Sequence, residues 1–297
     1  MIDPIPTQTP LYHAIQKERY ARQKQIEQIQ NFTKRDLIVY IANISNPSAG
    51  IDQSDVLSFG DLLQDKGDKD IDLLLQSPGG DIDVAEKLIY MCRSNAKSFR
   101  VIVAESAKSA ATLIALAADS IVMSNTSELG PIDPQVIFTT ATGQVVYRPA
   151  QSFLDGIKAI QEEAKKEDNT LSPVYFPLLQ QLDPALIDYC KKAVLRSKRF
   201  AIKWLMKSQC KNDKKKAVKI AGKLADTKRY LSHGTVIDHT EASEDLGLCV
   251  TYLKPRDELW QRIWRLYCCY EMDLRNDKVV KIFESSTVSI PLGASAD

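Results

Sequence analysis

Two short stretches carry residues whose types and spacing suit acyl chemistry. One is Ser77-Pro78-Gly79-Gly80-Asp81, the other Ala104-Glu105-Ser106-Ala107-Lys108-Ser109-Ala110. Each follows a short apolar run, Ile71–Gln76 in the first case and Phe99–Ala104 in the second, and each leads into helical spacing. A serine at such a strand-to-helix corner exposes its hydroxyl, and the next N–H points into the same space. Paired glycines before a helix adopt backbone angles that other residues avoid and leave their amides unobstructed. Taken singly, each has a plainer use, Ser109 as a helix N-cap and the glycine pair as a tight turn. Taken together on neighbouring strands, they supply a nucleophile and two amides, the oxyanion-binding element that acyl transfer needs. The glycine patterns of phosphate and dinucleotide loops are missing.

The elements that position these loops alternate. Leu37–Asn43, Ile71–Gln76, Phe99–Ala104 and Ser120–Ser124 read as buried strands. Between them, Asp52–Asp65, the segment holding Val84, Leu88, Met91 and Cys92, and Ser109–Ala118 have helical spacing. This alternation predicts a parallel α/β core, whose ligands bind at the C-terminal ends of the strands. Beyond Pro134, a hairpin is expected across Val136–Tyr147 around Thr142-Gly143, then a helix at 152–166 and a proline-rich loop at 169–184. Helices follow at 184–208, 213–225 and 241–248, a strand at 249–253 and an aromatic-rich helix at 257–275. Residues 1–10 should be irregular, and the tail from Glu284 disordered. Residues 11–31 form a polar helix with a thin apolar stripe, which needs a partner surface.

Composition narrows the classes. The 297 residues are 44% hydrophobic and 26% charged, as globular chains are. Thirty-nine basic residues against 38 acidic ones leave a net charge of +1, so no overall field points to nucleic acid or a membrane. The longest apolar runs, such as Leu113–Ala118, are far too short to span a bilayer, and the N-terminus lacks the order of a secretory signal. The six cysteines form no Cys-x-x-Cys pair, which fits reduced thiols in a cytosolic protein. No His/Cys/Asp cluster has metal spacing, so neither metal nor cofactor is expected. From Lys191 to Arg229, however, fifteen basic residues meet two acidic ones, a local net charge of +13. Solvated faces of amphipathic helices explain this first, an acidic protein partner second and nucleic acid last.

The stretches LLLQSPGGDIDVAEKLIYM and VIVAESAKSAATLIALAADSIVMSNTSELGPIDPQ, with SHGTVIDHTEASEDLGLCV further on, carry a resemblance. Together they resemble the Clp-type and signal-peptide-peptidase-type serine peptidases, and within these the serine dehydrogenase proteinase family. The similarity covers residues 35–136 and 226–253. It implies an α/β fold, a ClpP/crotonase-like spiral of ββα units with additional helices at the N-terminus and in the C-terminal half. Residues 1–34 would be a helical extension, 35–256 the peptidase domain with a helical insertion at 150–225, and 257–297 a helix and flexible tail. The resemblance further implies Ser109 as nucleophile, Gly80 and Ala110 as oxyanion amides, Gly79 as a substrate-binding residue, and a closed homo-oligomer. Lys108 stands where the relatives usually have a small or apolar residue, and the membrane segment that many of them carry is missing here, which points to the cytosol.

The general base is less legible. Clp-type relatives use a histidine shortly after the serine, but positions 133 and 134 here are Asp and Pro. Signal-peptide-peptidase types use a downstream lysine, sometimes from a neighbouring subunit. Lys158 lies 49 residues after Ser109, flanked by Phe153, Ile157 and Ile160, which could desolvate it and make it a base. Lys165 and Lys166 are its rivals. His233, in a Ser-His-Gly loop close in sequence to Asp226, is the alternative base.

The resulting expectation is a cytosolic serine peptidase acting on a peptide or protein substrate. The alternatives are a catalytically silent oligomeric scaffold and an acyl-CoA-handling crotonase-like enzyme, in which Ser109 would have no role. The helices at 11–31 and 257–275 are expected to contribute to subunit interfaces.

Overall fold

Runs such as Leu37-Ile38-Val39-Tyr40-Ile41 are apolar at every position, as strands covered on both faces must be. In the computed structural model, which describes residues 9–64, 66–139, 142–166, 172–180, 182–275 and 279–293, these runs form the centre of one sheet. The strands are β1 (Asp36–Ala42), β2 (Lys69–Ser77), β3 (Ala96–Ala107), β4 (Ser120–Met123), β5 (Glu128–Leu129), β6 (Gln135–Thr139), β7 (Val145–Pro149), β8 (Val250–Tyr252), β9 (Val279–Glu284) and β10 (Ser289–Gly293). The helices are α1 (Pro10–Ile15), α2 (Lys17–Thr33), α3 (Asp55–Leu63), α4 (Ile82–Asn95), α5 (Ala110–Leu116), α6 (Ala150–Lys166), α7 (Phe176–Gln180), α8 (Pro184–Lys207), α9 (Lys214–Leu224) and α10 (Glu258–Leu274).

The sheet runs β10-β9-β1-β2-β3-β4-β8, parallel from β1 to β8, with β5 paired to the end of β3. Side chains alternate across it. Ile38, Tyr40, Leu73, Leu75, Val101 and Val103 face a core closed by α3, α4, α5, α8 and α9. Leu37, Val39, Ile41, Leu74 and Ile102 face the other way, onto α2 and α10. The expected parallel α/β core is therefore present, with β6 and β7 as a separate antiparallel hairpin against α6 and α8.

Three expectations need correction. The tail is ordered over its described residues, because β9 pairs antiparallel with β1 and β10 pairs antiparallel with β9. Its signal was concealed because Lys281 and Glu284 are charged yet buried, each satisfied by ionic partners. The loop at 169–184 contains a turn of 3-10 helix and the short α7 in its described part. The terminal helices bury much of their apolar surface within the chain, while Leu11, Ile15 and Met272 stay exposed. Ile26 and Ile29 of α2 pack with Trp260, Ile263, Leu266 and Tyr270 of α10, each about fully buried on the same sheet face. The Ile26–Ile29 part of that stripe thus finds its partner within the chain, and Arg22 of α2 adds a buried ion pair to Glu284 at 2.7 Å. The irregular start expected for residues 1–10 falls almost wholly outside the described residues.

The cationic stretch lies on α8, α9 and the turn after them. Several of its charges are matched inside the chain: Arg196 by Asp83, Lys203 by Glu86, Lys223 by Asp245, and Arg229 by Glu241 and Asp245.

Candidate active site

β3 ends at Ala107 and α5 begins at Ala110, so two residues must reverse the chain. Ser109 does so at φ 51°, ψ −116°, a conformation that a side chain adopts at a cost of roughly 1–3 kcal/mol. It occupies the N-cap position, yet its hydroxyl makes no capping bond to the helix. The plain use of a serine here is thereby absent. The corner is held instead by the backbone: Ala111 N–H donates to Lys108 O at 2.8 Å, and Leu113 N–H to Ser109 O at 3.2 Å. One turn on, buried Thr112 donates to Ala107 O at 2.7 Å and accepts from Gly130 N–H at 3.1 Å.

The glycine loop is built against this corner. Lys108 N–H donates to Ser77 O at 3.0 Å, and Ser77 Oγ accepts from Gly79 N–H at 3.2 Å. Gly79 and Gly80 have φ of 99° and 143°, angles that favour glycine. A Cβ on Gly79 would lie 2.7 Å from Ser109 Cβ and 3.0 Å from Ala110 N, so the loop touches the serine itself. Gly80 pairs with Ile51: Ile51 N–H donates to Gly79 O at 2.7 Å, and Asp81 N–H to Ile51 O at 2.8 Å. Among the described residues, neither Gly80 N–H nor Ala110 N–H meets an acceptor.

The Ile51 loop has its own anchor. Lys281 of β9, only 2% exposed, places Nζ 2.8 Å from Asp52 and 2.8 Å from Asp55, and Tyr40 donates to Asp55 at 2.6 Å. Burial pushes the Asp55 carboxyl up, with Lys281 and Tyr40 offsetting part of that. Burial also works against a charged Asp52, but hydrogen bonds from Lys281 and Ser54 prevail and hold it below its ordinary value. Sequence reading missed this anchor because Lys281 sat in the supposed tail.

His233 is not paired with Asp226. Its Nδ1 lies 2.8 Å from Oδ1 of Asp133, which is 4% exposed and also accepts from Gln135 Nε2 at 2.9 Å. Leu129 and Ile237 pair antiparallel, and carrying that register onward sets Asp133 opposite His233. The other ring nitrogen, Nε2, has no partner among the described residues. Lys158 is placed differently. Its side chain is 72% exposed on α6 and lies 3.6 Å from Glu162, so Phe153, Ile157 and Ile160 do not enclose it. Lys165 and Lys166, at the end of the same helix, are exposed too. No hydrogen bond joins Ser109 Oγ to another side chain among the described residues.

Lys108 is half-buried, and its ammonium is fully engaged. Nζ lies 3.2 Å from Leu129 O, 3.2 Å from Thr235 O and 2.9 Å from Glu128. Among the described residues, no group of three or more His, Cys, Asp and Glu side chains gathers as a metal site, and no helix is long and apolar enough to cross a membrane.

Comparison with known proteins adds to this geometry. An uncharacterized protein of Methanocaldococcus jannaschii, MJ0137, is 33% identical over 192 residues, 64% of this chain and 56% of that one. A second from the same organism, MJ1495, is 32% identical over 151 residues, 51% of this chain and 43% of that one. The chain thus spans about half the length of these relatives. Among solved structures, a serine-to-alanine mutant of a membrane-bound stomatin-specific protease is 22% identical, covering 39% of this chain and 58% of that one at a TM-score of 0.30. A lysine-to-alanine mutant of such a protease with a substrate peptide is 16% identical, covering 82% and 84% at a TM-score of 0.40. The family model of the ClpP-like SDH-type serine proteinases matches residues 51–288, from the loop that pins Gly80 to the turn beyond β9. A match over that much of the chain, on the elements that build the serine corner, makes this protein a member of the ClpP-like SDH-type serine proteinase family.

Proposed function

We propose that the chain is a serine peptidase that cleaves peptide bonds with Ser109 as nucleophile, the amides of Gly80 and Ala110 as oxyanion hole, and His233 as general base oriented by Asp133. The observation that carries this reading is Ser109 itself: a strained residue whose hydroxyl caps nothing, pressed against a glycine loop beside unclaimed amides. Strain of this kind persists where the surroundings impose it, as at nucleophile corners.

In the reaction, Oγ adds to the scissile carbonyl carbon while its proton passes to His233 Nε2. The carbonyl oxygen takes up the negative charge and receives the N–H groups of Gly80 and Ala110. The imidazolium then gives its proton to the leaving amine, the C–N bond breaks, and an acyl ester remains on Ser109. The same imidazole deprotonates a water that hydrolyses the ester. Asp133 accepts from Nδ1–H throughout, which fixes the tautomer and leaves Nε2 for proton transfer. The bond between Oγ and Nε2 forms with substrate in place, since catalytic hydrogen bonds tighten in the complex. Gly79, against the serine, is assigned to the substrate backbone in this reading, supported by its close approach to Ser109 and Ala110.

His233 is favoured over Lys158 because it has an orienting carboxylate, whereas the exposed Lys158 pairs only with Glu162. The six cysteines are all free, which supports a reducing, cytosolic setting. Homo-oligomer formation stays within this reading, supported by the exposed Ile137, Val145 and Tyr147 of the β6–β7 hairpin and by Leu11 and Ile15 near the N-terminus. The substrate is a peptide or protein, and an acidic protein partner for the 191–229 stretch remains a secondary proposal.

The test is labelling of the purified protein by a fluorophosphonate probe, with the modified residue read by mass spectrometry. Label on Ser109, lost in Ser109→Ala and slowed at least roughly 100-fold in His233→Ala, is expected. Unlabelled, folded protein would favour the silent scaffold. Full reactivity in His233→Ala with loss in Lys158→Ala would hand the proton to the lysine, from this chain or another copy.

A further inference from the structure

We propose that Lys108 is a positioning residue, an ammonium staple that sets the nucleophile corner at a fixed distance from the segment carrying His233 and Asp133. This rests on the reading of His233 as base. Lys108 immediately precedes Ser109, so whatever fixes its side chain acts on the strained corner through one peptide unit. Its backbone N–H binds Ser77 O at 3.0 Å and its carbonyl accepts Ala111 N–H at 2.8 Å, joining the glycine loop to α5.

The side chain reaches the third component of the site. An ammonium has three donors, and here it has three acceptors: Leu129 O at 3.2 Å, Thr235 O at 3.2 Å and Glu128 at 2.9 Å. Leu129 and Thr235 belong to the two facing segments whose register sets Asp133 opposite His233. One lysine therefore holds both segments at once, two residues from His233 on one and four from Asp133 on the other.

Gly130 shows that the route of this side chain is built in. A Cβ there would lie 2.7 Å from Lys108 Cδ and 3.4 Å from Lys108 Cα. The lysine stem crosses directly over that glycine. Space for the stem, a counter-ion at its tip and two backbone acceptors on separate segments together describe a device that an apolar residue at position 108 could not reproduce.

The test is a double-mutant cycle on the second-order rate of fluorophosphonate labelling of Ser109, using the full chain. Lys108→Met should keep the native circular dichroism and slow labelling roughly 10- to 100-fold, the scale of loss when a reacting group shifts by about an ångström. In peptide turnover the loss should appear in kcat rather than KM. A residue that acts through His233 adds nothing once His233 is gone, so Lys108→Met with His233→Ala should label no more slowly than His233→Ala alone. If Lys108→Met does not fold, Glu128→Gln, which removes only the counter-ion, should show a smaller loss with the same non-additivity. Wild-type labelling in folded Lys108→Met, with His233→Ala slow, overturns the staple and leaves the base intact. Losses that multiply in the double mutant also overturn it, since Lys108 would then act independently. Wild-type labelling in His233→Ala would overturn the base assignment and the staple with it.

Discussion

Substituting Gly80 by alanine tests whether its amide is held for catalysis. The added Cβ would lie 2.4 Å from Ile51 N and 2.5 Å from Ile51 O, backbone atoms that have no side-chain freedom to yield. At φ 143° alanine is strained even without that contact, by roughly 1–2 kcal/mol. The chain must therefore turn the peptide or part from Ile51. Parting gives up the two bonds at 2.7 and 2.8 Å that pair the loops, worth about 1–3 kcal/mol together. Either response moves the Gly80 N–H away from the oxyanion position proposed for it and Ala110. Loss of one oxyanion donor costs about 2.7–4 kcal/mol of barrier, or roughly 100- to 1,000-fold in kcat. Burst titration with an activated ester, followed by steady-state peptide hydrolysis, separates the acylation rate from the fraction of folded enzyme. A kcat within about threefold of wild type, in a protein whose melting point has fallen, would refute the assignment, because the loop would have moved without consequence for the oxyanion.

The two loops proposed to react stand out in the sequence because each is contiguous: Ser-Pro-Gly-Gly and Ala-Lys-Ser-Ala each carry a corner and its polar groups in a few residues. Strands β1 to β4 were legible for a related reason, since both-face burial makes them unbroken apolar runs. What favours the proposed nucleophile role of Ser109 over a plain N-cap is its φ and its missing capping bond, which no residue type announces. The Asp133–His233 pair joins positions 100 residues apart, and only the pairing of Leu129 with Ile237 brings them together. Lys281 and Glu284 made the last strands look like solvent-exposed tail, because a buried charge is recognisable only once its partners are known. Lys158 drew attention through its apolar neighbours in sequence, but on a helix such neighbours face other directions, and its side chain points outward.

The remaining predictions concern strain, buried charge and alkaline pH. Ser109→Gly should melt higher than Ser109→Ala by about 1 kcal/mol, because only glycine occupies φ 51° without strain, while both lose all labelling. Equal melting points would deny the strain. Lys281→Met should destabilise by about 3–5 kcal/mol in denaturant titration, since it strands the fully buried Asp55 carboxylate, and Lys281→Met with Asp55→Asn should recover part of that. A neutral single mutant would show that the anchor behind Gly80 carries no energy. Alkaline pH should unfold the protein for a stated reason. Burial pushes the hydroxyls of Tyr40, Tyr267 and Tyr270 well above the ordinary tyrosine value of 10.0, with neighbouring carboxylates Asp55, Glu105 and Glu284 adding to the shift. A raised folded pKa means that folding is favoured with the proton on, so this stability is complete below about pH 10 and is lost as pH rises above it. Above that pH the unfolded chain binds fewer protons than the native one, and each of the three tyrosines steepens the loss by up to about 1.4 kcal/mol per pH unit. Tyrosinate absorbance followed alongside circular dichroism decides the matter: these three hydroxyls should ionise only together with unfolding. Complete tyrosine titration near pH 10 in a chain that keeps its native circular dichroism would show that these hydroxyls are wetter than their packing implies.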